Sequence, residues 1–224
     1  FLETTSGESD EVATLVFNFL GNGLRRWDIK VTQFLCTNAN RPPQGCLQFY
    51  TGLQGRITSF NFAPTTGSIH LANQMYSVCL SRREGYCCVE FEVCRDVEDA
   101  FSLHMNGLIK ISSTDNGCTE DYIQIEGQHV MALSNLLFMD TVVFLFLFTL
   151  ESSNMCLGNE KVFSNRYCGG TFNALQGLAV NSLVCDCTPP FILDIFTDGG
   201  QSSTLNLRNR GLCLDFRRRK CPLS

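Results

Sequence analysis

Thirteen cysteines lie along these 224 residues, and their spacing decides among nucleophilic, metal-binding and disulfide chemistry. They are scattered, without the paired CxxC modules that structural zinc sites use. Cys87 and Cys88 follow Tyr86, but a thiolate nucleophile needs a neighbouring base and a polar pocket. The three histidines, His70, His104 and His129, stand in no HExxH or similar frame. The nearest approach to a serine elbow, Gly7-Glu8-Ser9-Asp10, lacks the closing glycine and the apolar strand before it. No catalytic or cofactor-binding residue emerges. Cysteines at this density point to disulfides in an oxidising, extracellular setting, and an odd number leaves at least one unpaired or bonded to another molecule. The run Arg217-Arg218-Arg219-Lys220 before Cys221 has the charge to attract an anionic glycan, but reads first as a solvated strand end.

The elements that must carry these residues are short. A composition of 44% hydrophobic and 17% charged residues allows one sizeable core, and a formal charge of -5 lacks the basic excess of a nucleic-acid binder. Residues 1–26 read as a flexible leader. The opening ten lack a basic n-region and a long apolar h-region, so the chain is expected to be a mature product or a fragment. Trp27, Ile29 and Val31 alternate with polar residues, predicting a leading strand that ends near Cys36, followed by a loop through Pro42-Pro43. Further strands are expected at 46–50, 56–62, 74–80, 88–93, 100–103, 108–111, 122–125, 190–196 and 211–216. Each is rich in β-branched or aromatic residues and bounded by turn formers. No apolar stripe of helical period runs through them, which predicts an all-β, antiparallel two-sheet sandwich.

Several ordered landmarks resemble the CUB domain, in particular the divergent CUB-like domains of secreted invertebrate proteins. They are Trp27-Asp28-Ile29-Lys30-Val31-Thr32-Gln33, Gly45-Cys46-Leu47-Gln48-Phe49-Tyr50-Thr51-Gly52 and Ile57-Thr58-Ser59-Phe60-Asn61-Phe62. Cys118-Thr119-Glu120-Asp121-Tyr122-Ile123, Arg166-Tyr167-Cys168-Gly169, Pro190-Phe191-Ile192-Leu193 and Thr197-Asp198-Gly199 follow in the family's order. The resemblance implies a jelly-roll-like, disulfide-braced CUB sandwich over 27–224, with a leading strand and loop to 45. It also implies bridges Cys46–Cys79 and Cys118–Cys168. It assigns no pairing to Cys36, Cys87, Cys88, Cys94, Cys156, Cys185, Cys187, Cys213 and Cys221.

Some CUB domains bind calcium through acids at one end of the sandwich, a site that contacts a basic side chain of a partner. The matching positions are Asp121 and Asp198, with Asp115 the nearest substitute for the family's further glutamate. Two carboxylates alone do not satisfy calcium, which takes six to eight oxygens. The other reading of Asp121 and Asp198 is that they cap turns through side-chain to backbone hydrogen bonds.

Residues 128–153 interrupt the pattern as an apolar insertion. Only Thr141-Val142-Val143-Phe144-Leu145-Phe146-Leu147-Phe148-Thr149-Leu150 is uninterrupted, about half the ~20 residues of a membrane span, so no span is expected. The insertion is either a genuine extra element or translated intron sequence, which the spliced transcript distinguishes.

The function expected is a secreted, non-catalytic binding or adhesion module for an extracellular protein, or secondarily a glycan. The alternatives are a cysteine cross-linked matrix component and a non-catalytic arm of a larger secreted protease.

Overall fold

Seven residues in strict alternation, Phe191–Thr197, set the plan of the molecule: Phe191, Leu193 and Ile195 are buried, and Ile192, Asp194 and Phe196 are half-buried between them. The structure, a computed structural model, describes residues 41–63, 69–104, 110–125, 164–200 and 209–221, and before them 14, 16–17, 28–32, 34–35 and 37–38.

Among the described residues there are eleven strands and no α-helix. They are β1 (Cys46–Tyr50), β2 (Gln54–Thr58), β3 (Gln74–Leu80), β4 (Tyr86–Val93), β5 (Phe101–Ser102) and β6 (Ser112–Thr114). After a single 3-10 turn at Asp115–Gly117 come β7 (Tyr122–Ile125), β8 (Arg166–Gly169), β9 (Val184–Asp186), β10 (Phe191–Thr197) and β11 (Gly211–Lys220).

One sheet runs β1-β3-β10-β7-β8-β6 and the other β2-β11-β4-β9, with β5 pairing β11. Every ladder is antiparallel except β1 on β3, which is parallel. The core lies between the sheets. Val78, Ile123, Ile125, Leu193 and Ile195 come from the first, and Ile57, Phe91, Leu214 and Phe216 from the second. Phe172 adds a tilted contact to Phe101 and an edge contact to Tyr167. Each such side chain, fully withdrawn from water, contributes about 1.5–3 kcal/mol.

Five bridges brace the sandwich: Cys46–Cys79, Cys87–Cys221, Cys88–Cys187, Cys94–Cys213 and Cys118–Cys168. Cys185 is disulfide-bonded as well. The loops closed are long, up to 134 residues for Cys87–Cys221, and in the chain-entropy account a loop of that size is worth about 4–5 kcal/mol.

The leading strand expected from Trp27 does not form in the described residues. Residues 28–32 lie outside both sheets, with Ile29 51% and Val31 74% exposed. Alternation specifies a strand only where a sheet face receives its apolar side, and none does here. The strand expected at 56–62 instead occupies Gln54–Thr58, in register with β11 through Leu214 and Ile57. Its tail turns away where the Phe62 amide donates to the Ser59 carbonyl at 3.1 Å, and Asn61 takes φ 64. Of 108–111, the described Lys110 and Ile111 are not strand, and β6 begins one residue later.

The apolar insertion at 128–153 lies outside the described residues, as does most of the leader 1–26. No helix among the described residues is long and apolar enough to cross a membrane.

Candidate functional site

β11 runs the length of the sandwich, about 30 Å at 3.3 Å per residue, and joins two poles of opposite character. At its start lie the end of β10 and the start of β3, where Thr197 pairs with Gln74, and the start of β7. At its finish lie Tyr50, Ser81 and the β3–β4 turn.

The first pole is acidic. Thr197 Oγ1 accepts the Gln74 amide at 2.9 Å and donates to the Leu71 carbonyl at 2.7 Å, fixing the loop before β3. The Asp198 carbonyl accepts the Asn73 amide at 2.8 Å, and its Oδ1 accepts the Gly200 amide at 2.8 Å, a short Asx turn. Asp121, 2% exposed, meets this turn directly: its Oδ1 accepts the Asp198 amide at 3.0 Å. Its Oδ2 lies 3.2 Å from His70 Nε2.

His70 was not identifiable from sequence as a site residue. It is 5% exposed, its amide donates to the Asn209 carbonyl at 3.0 Å, and its Nδ1 lies 3.1 Å from the Leu71 carbonyl. A carbonyl only accepts, so Nδ1 carries a proton. Nε2 faces a carboxylate oxygen and needs one too. The ring that satisfies both neighbours is the imidazolium. Burial by itself lowers the pKa of His70, but the hydrogen bonds to Asp121 and to the Leu71 carbonyl, with the charges of Asp121 and Asp198, outweigh it and hold the pKa above the ordinary value.

The structure thus brings together Asp121 and Asp198 of the three acids singled out for calcium, and not Asp115. Asp115 follows β6, which lies across β8 from β7, and its Oδ1 accepts the amides of Asn165 at 2.8 Å and Arg166 at 3.2 Å. Calcium takes six to eight oxygens at 2.3–2.6 Å. Among the described residues, Asp121 and Asp198 supply only part of such a set, and Asp121 already has Oδ1 on the Asp198 amide and Oδ2 beside His70 Nε2.

A second group, Cys94, Asp96 and Asp215, has ligand-type atoms within 4.8 Å of one another. It also holds its own cation. Arg56 grips Asp215 at 2.8 and 2.9 Å and Asp96 at 2.7 and 2.9 Å, while Cys94 is bonded to Cys213. The guanidinium lowers the pKa of Asp96, and the two carboxylates hold the Arg56 charge on. This is a surface ion-pair network and not a metal centre.

The second pole carries the Arg217–Lys220 run. Arg217 and Lys220 are exposed, and Arg219 Nε lies 2.5 Å from Glu90 Oε1. Arg218 departs from a solvated strand end. It is 4% exposed, with Nε donating to the Gly52 carbonyl at 2.8 Å and Nη2 reaching the Tyr50 carbonyl at 3.3 Å and Ser81 Oγ at 3.4 Å.

Among solved structures, the calcium-bound CUB2 domain of MASP-1 is similar to this chain at 17% identity, with a TM-score of 0.31, covering 77% of this chain and 98% of that domain. No curated protein matches. Residues 43–219, from just before β1 almost to the end of β11, match the animal CUB domain. On that match the chain belongs to the animal CUB domain family.

Proposed function

We propose that this chain is an extracellular, non-catalytic binding module that engages a protein partner through the loops at the poles of its sandwich. Membership of the animal CUB family carries the reading, since these domains are typically protein-interaction modules of extracellular proteins. The bridges support it, being of a kind that persists in oxidising compartments. Among the described residues, every cysteine is in a disulfide, His70 is enclosed against Asp121, and His104 Nδ1 lies 2.8 Å from Glu120.

The odd cysteine total supports a second reading, a matrix component cross-linked through a spare thiol. Expressing the chain in secreting cells separates the two. A binding module is recovered from the medium as a discrete monomer on non-reducing gels, and photo-crosslinking to the cell exterior captures a protein that excess unlabelled chain displaces. Recovery only as a reducible polymer would replace it with the matrix reading.

A further inference from the structure

Six cations, Arg82 and Arg83 of the β3–β4 turn and Arg217, Arg218, Arg219 and Lys220 of β11, gather at one pole of a chain whose formal charge is -5. They line two shallow depressions that share Tyr86: Arg82 and Arg83 border one, and the four β11 residues border the other with Leu53 and Gln54. Among the described residues lining the two depressions only Glu84 is acidic, and the nearby Glu90 is engaged by Arg219.

The decisive feature is Arg218. A guanidinium this buried is ordinarily matched by a carboxylate, yet its hydrogen-bond partners are the Gly52 and Tyr50 carbonyls and the Ser81 hydroxyl. Its Nη1 is buried without a hydrogen bond. Burial and the neighbouring charge of Arg83 both disfavour its protonated form. An external anion across the mouth would supply the missing counter-charge.

We infer that this pole binds a sulfated polysaccharide, with the exposed Arg82, Arg83, Arg217 and Lys220 contacting its sulfates and Tyr86 lying under the sugar face between the two depressions. The guanidinium fork matches a sulfate oxygen pair as it does a carboxylate or phosphate. The shape of the ligand follows from the charge distribution. A folded acidic protein would set a broad charged face against the net negative surface around the pole as well as against the pole itself, whereas a thin linear polyanion lies along the basic pole alone. The inference rests on the extracellular placement proposed above and adds a ligand to it.

The test uses the whole chain and heparin as probe. Wild type is expected to be retained on heparin at about 50 mM NaCl and released as salt rises through about 300 mM, as screening shortens the reach of the charges. The double charge reversal Arg83→Glu with Lys220→Glu, both exposed positions, should weaken binding by about tenfold or more without moving the melting temperature. Arg95→Glu, at the opposite end of β4 and itself exposed, should leave binding unchanged. Lack of retention at low salt, equal loss in both variants, or equal binding of desulfated heparin or poly-glutamate would overturn the inference. Scoring the same variants for protein capture keeps the proposals apart: loss of heparin binding with capture intact touches the sulfate site alone, and absence of both in wild type removes both readings.

Discussion

Asparagine in place of Asp186 probes a carboxyl that folding encloses with little to receive its charge. Asp186 ends β9, is 0% exposed, and accepts the Thr188 amide on Oδ1 at 2.8 Å, while Oδ2 is buried without a hydrogen bond. Burial raises its pKa from 3.8 to about 7, against the opposing pull of the Thr188 amide. Below the unfolded value, near pH 4, both states are protonated and the group is neutral in the balance. As pH rises from there the unfolded chain releases its proton and the folded one keeps it, so stability falls by about 1.4 kcal/mol per unit until the folded pKa is passed. Roughly three units give a loss of about 4 kcal/mol by pH 8, an upper figure.

Asp186→Asn removes that titration and keeps an acceptor for Thr188. It places an amide NH2 at the unpartnered position, costing about 1–3 kcal/mol. The variant should therefore be more stable than wild type by about 1–3 kcal/mol at pH 8 and less stable by about 1–3 kcal/mol at pH 4, the two differing by the ~4 kcal/mol that wild type loses between them. Urea unfolding with the bridges intact, at about pH 4, 6 and 8, reads this as a change of midpoint at constant slope. Parallel wild-type and variant profiles, within about 0.5 kcal/mol, would refute the reasoning.

His70 contributes stability of the opposite chemical origin but the same pH direction: fully present below its unfolded pKa near 6.5, and lost as pH rises through its own raised value. Imidazole NMR shifts should show it holding its second proton to a higher pH than the unfolded chain does, and a midpoint below the unfolded one would sink the assignment. Calcium added to EDTA-treated protein should leave the melting temperature unchanged, whereas a rise would mean that the folded state binds the ion after all. Alkylating the non-reduced protein before digestion should label none of the eleven cysteines found in bridges. Label on any of them would contradict the pairing.

Much of the sandwich is legible in the sequence because period-two alternation survives wherever a strand is half-buried. β1, β3 and β7 read directly from residues 46–50, 74–80 and 122–125. β6 and β9 do not: three residues each, Ser112-Ser113-Thr114 and Val184-Cys185-Asp186, are too few and too polar to show a period. β8 was visible as the Arg166-Tyr167-Cys168-Gly169 landmark without revealing that it is a strand.

The acidic pole was legible in part. Asp121 and Asp198, 77 residues apart, could be placed together only through the family's order of landmarks. Nothing around His70 distinguishes it from any lone histidine until the loop carrying it is folded against Asp121. Arg218 was equally hidden, since a basic run at the end of a strand looks solvated, and burial of one member depends on the other sheet closing over it.

β11 also has a mechanical consequence. It is paired on both flanks, by β2 and β4, and covalently anchored near both ends, through Cys213 to Cys94 and through the adjoining Cys221 to Cys87. A pull along the line between the poles loads both hydrogen-bond ladders in shear, where the bonds resist together, and cannot withdraw the strand without breaking a disulfide. A domain holding one partner at each pole would transmit tension between them with little change in length, and reduction of those two bridges would turn the stiff strut into an extensible one.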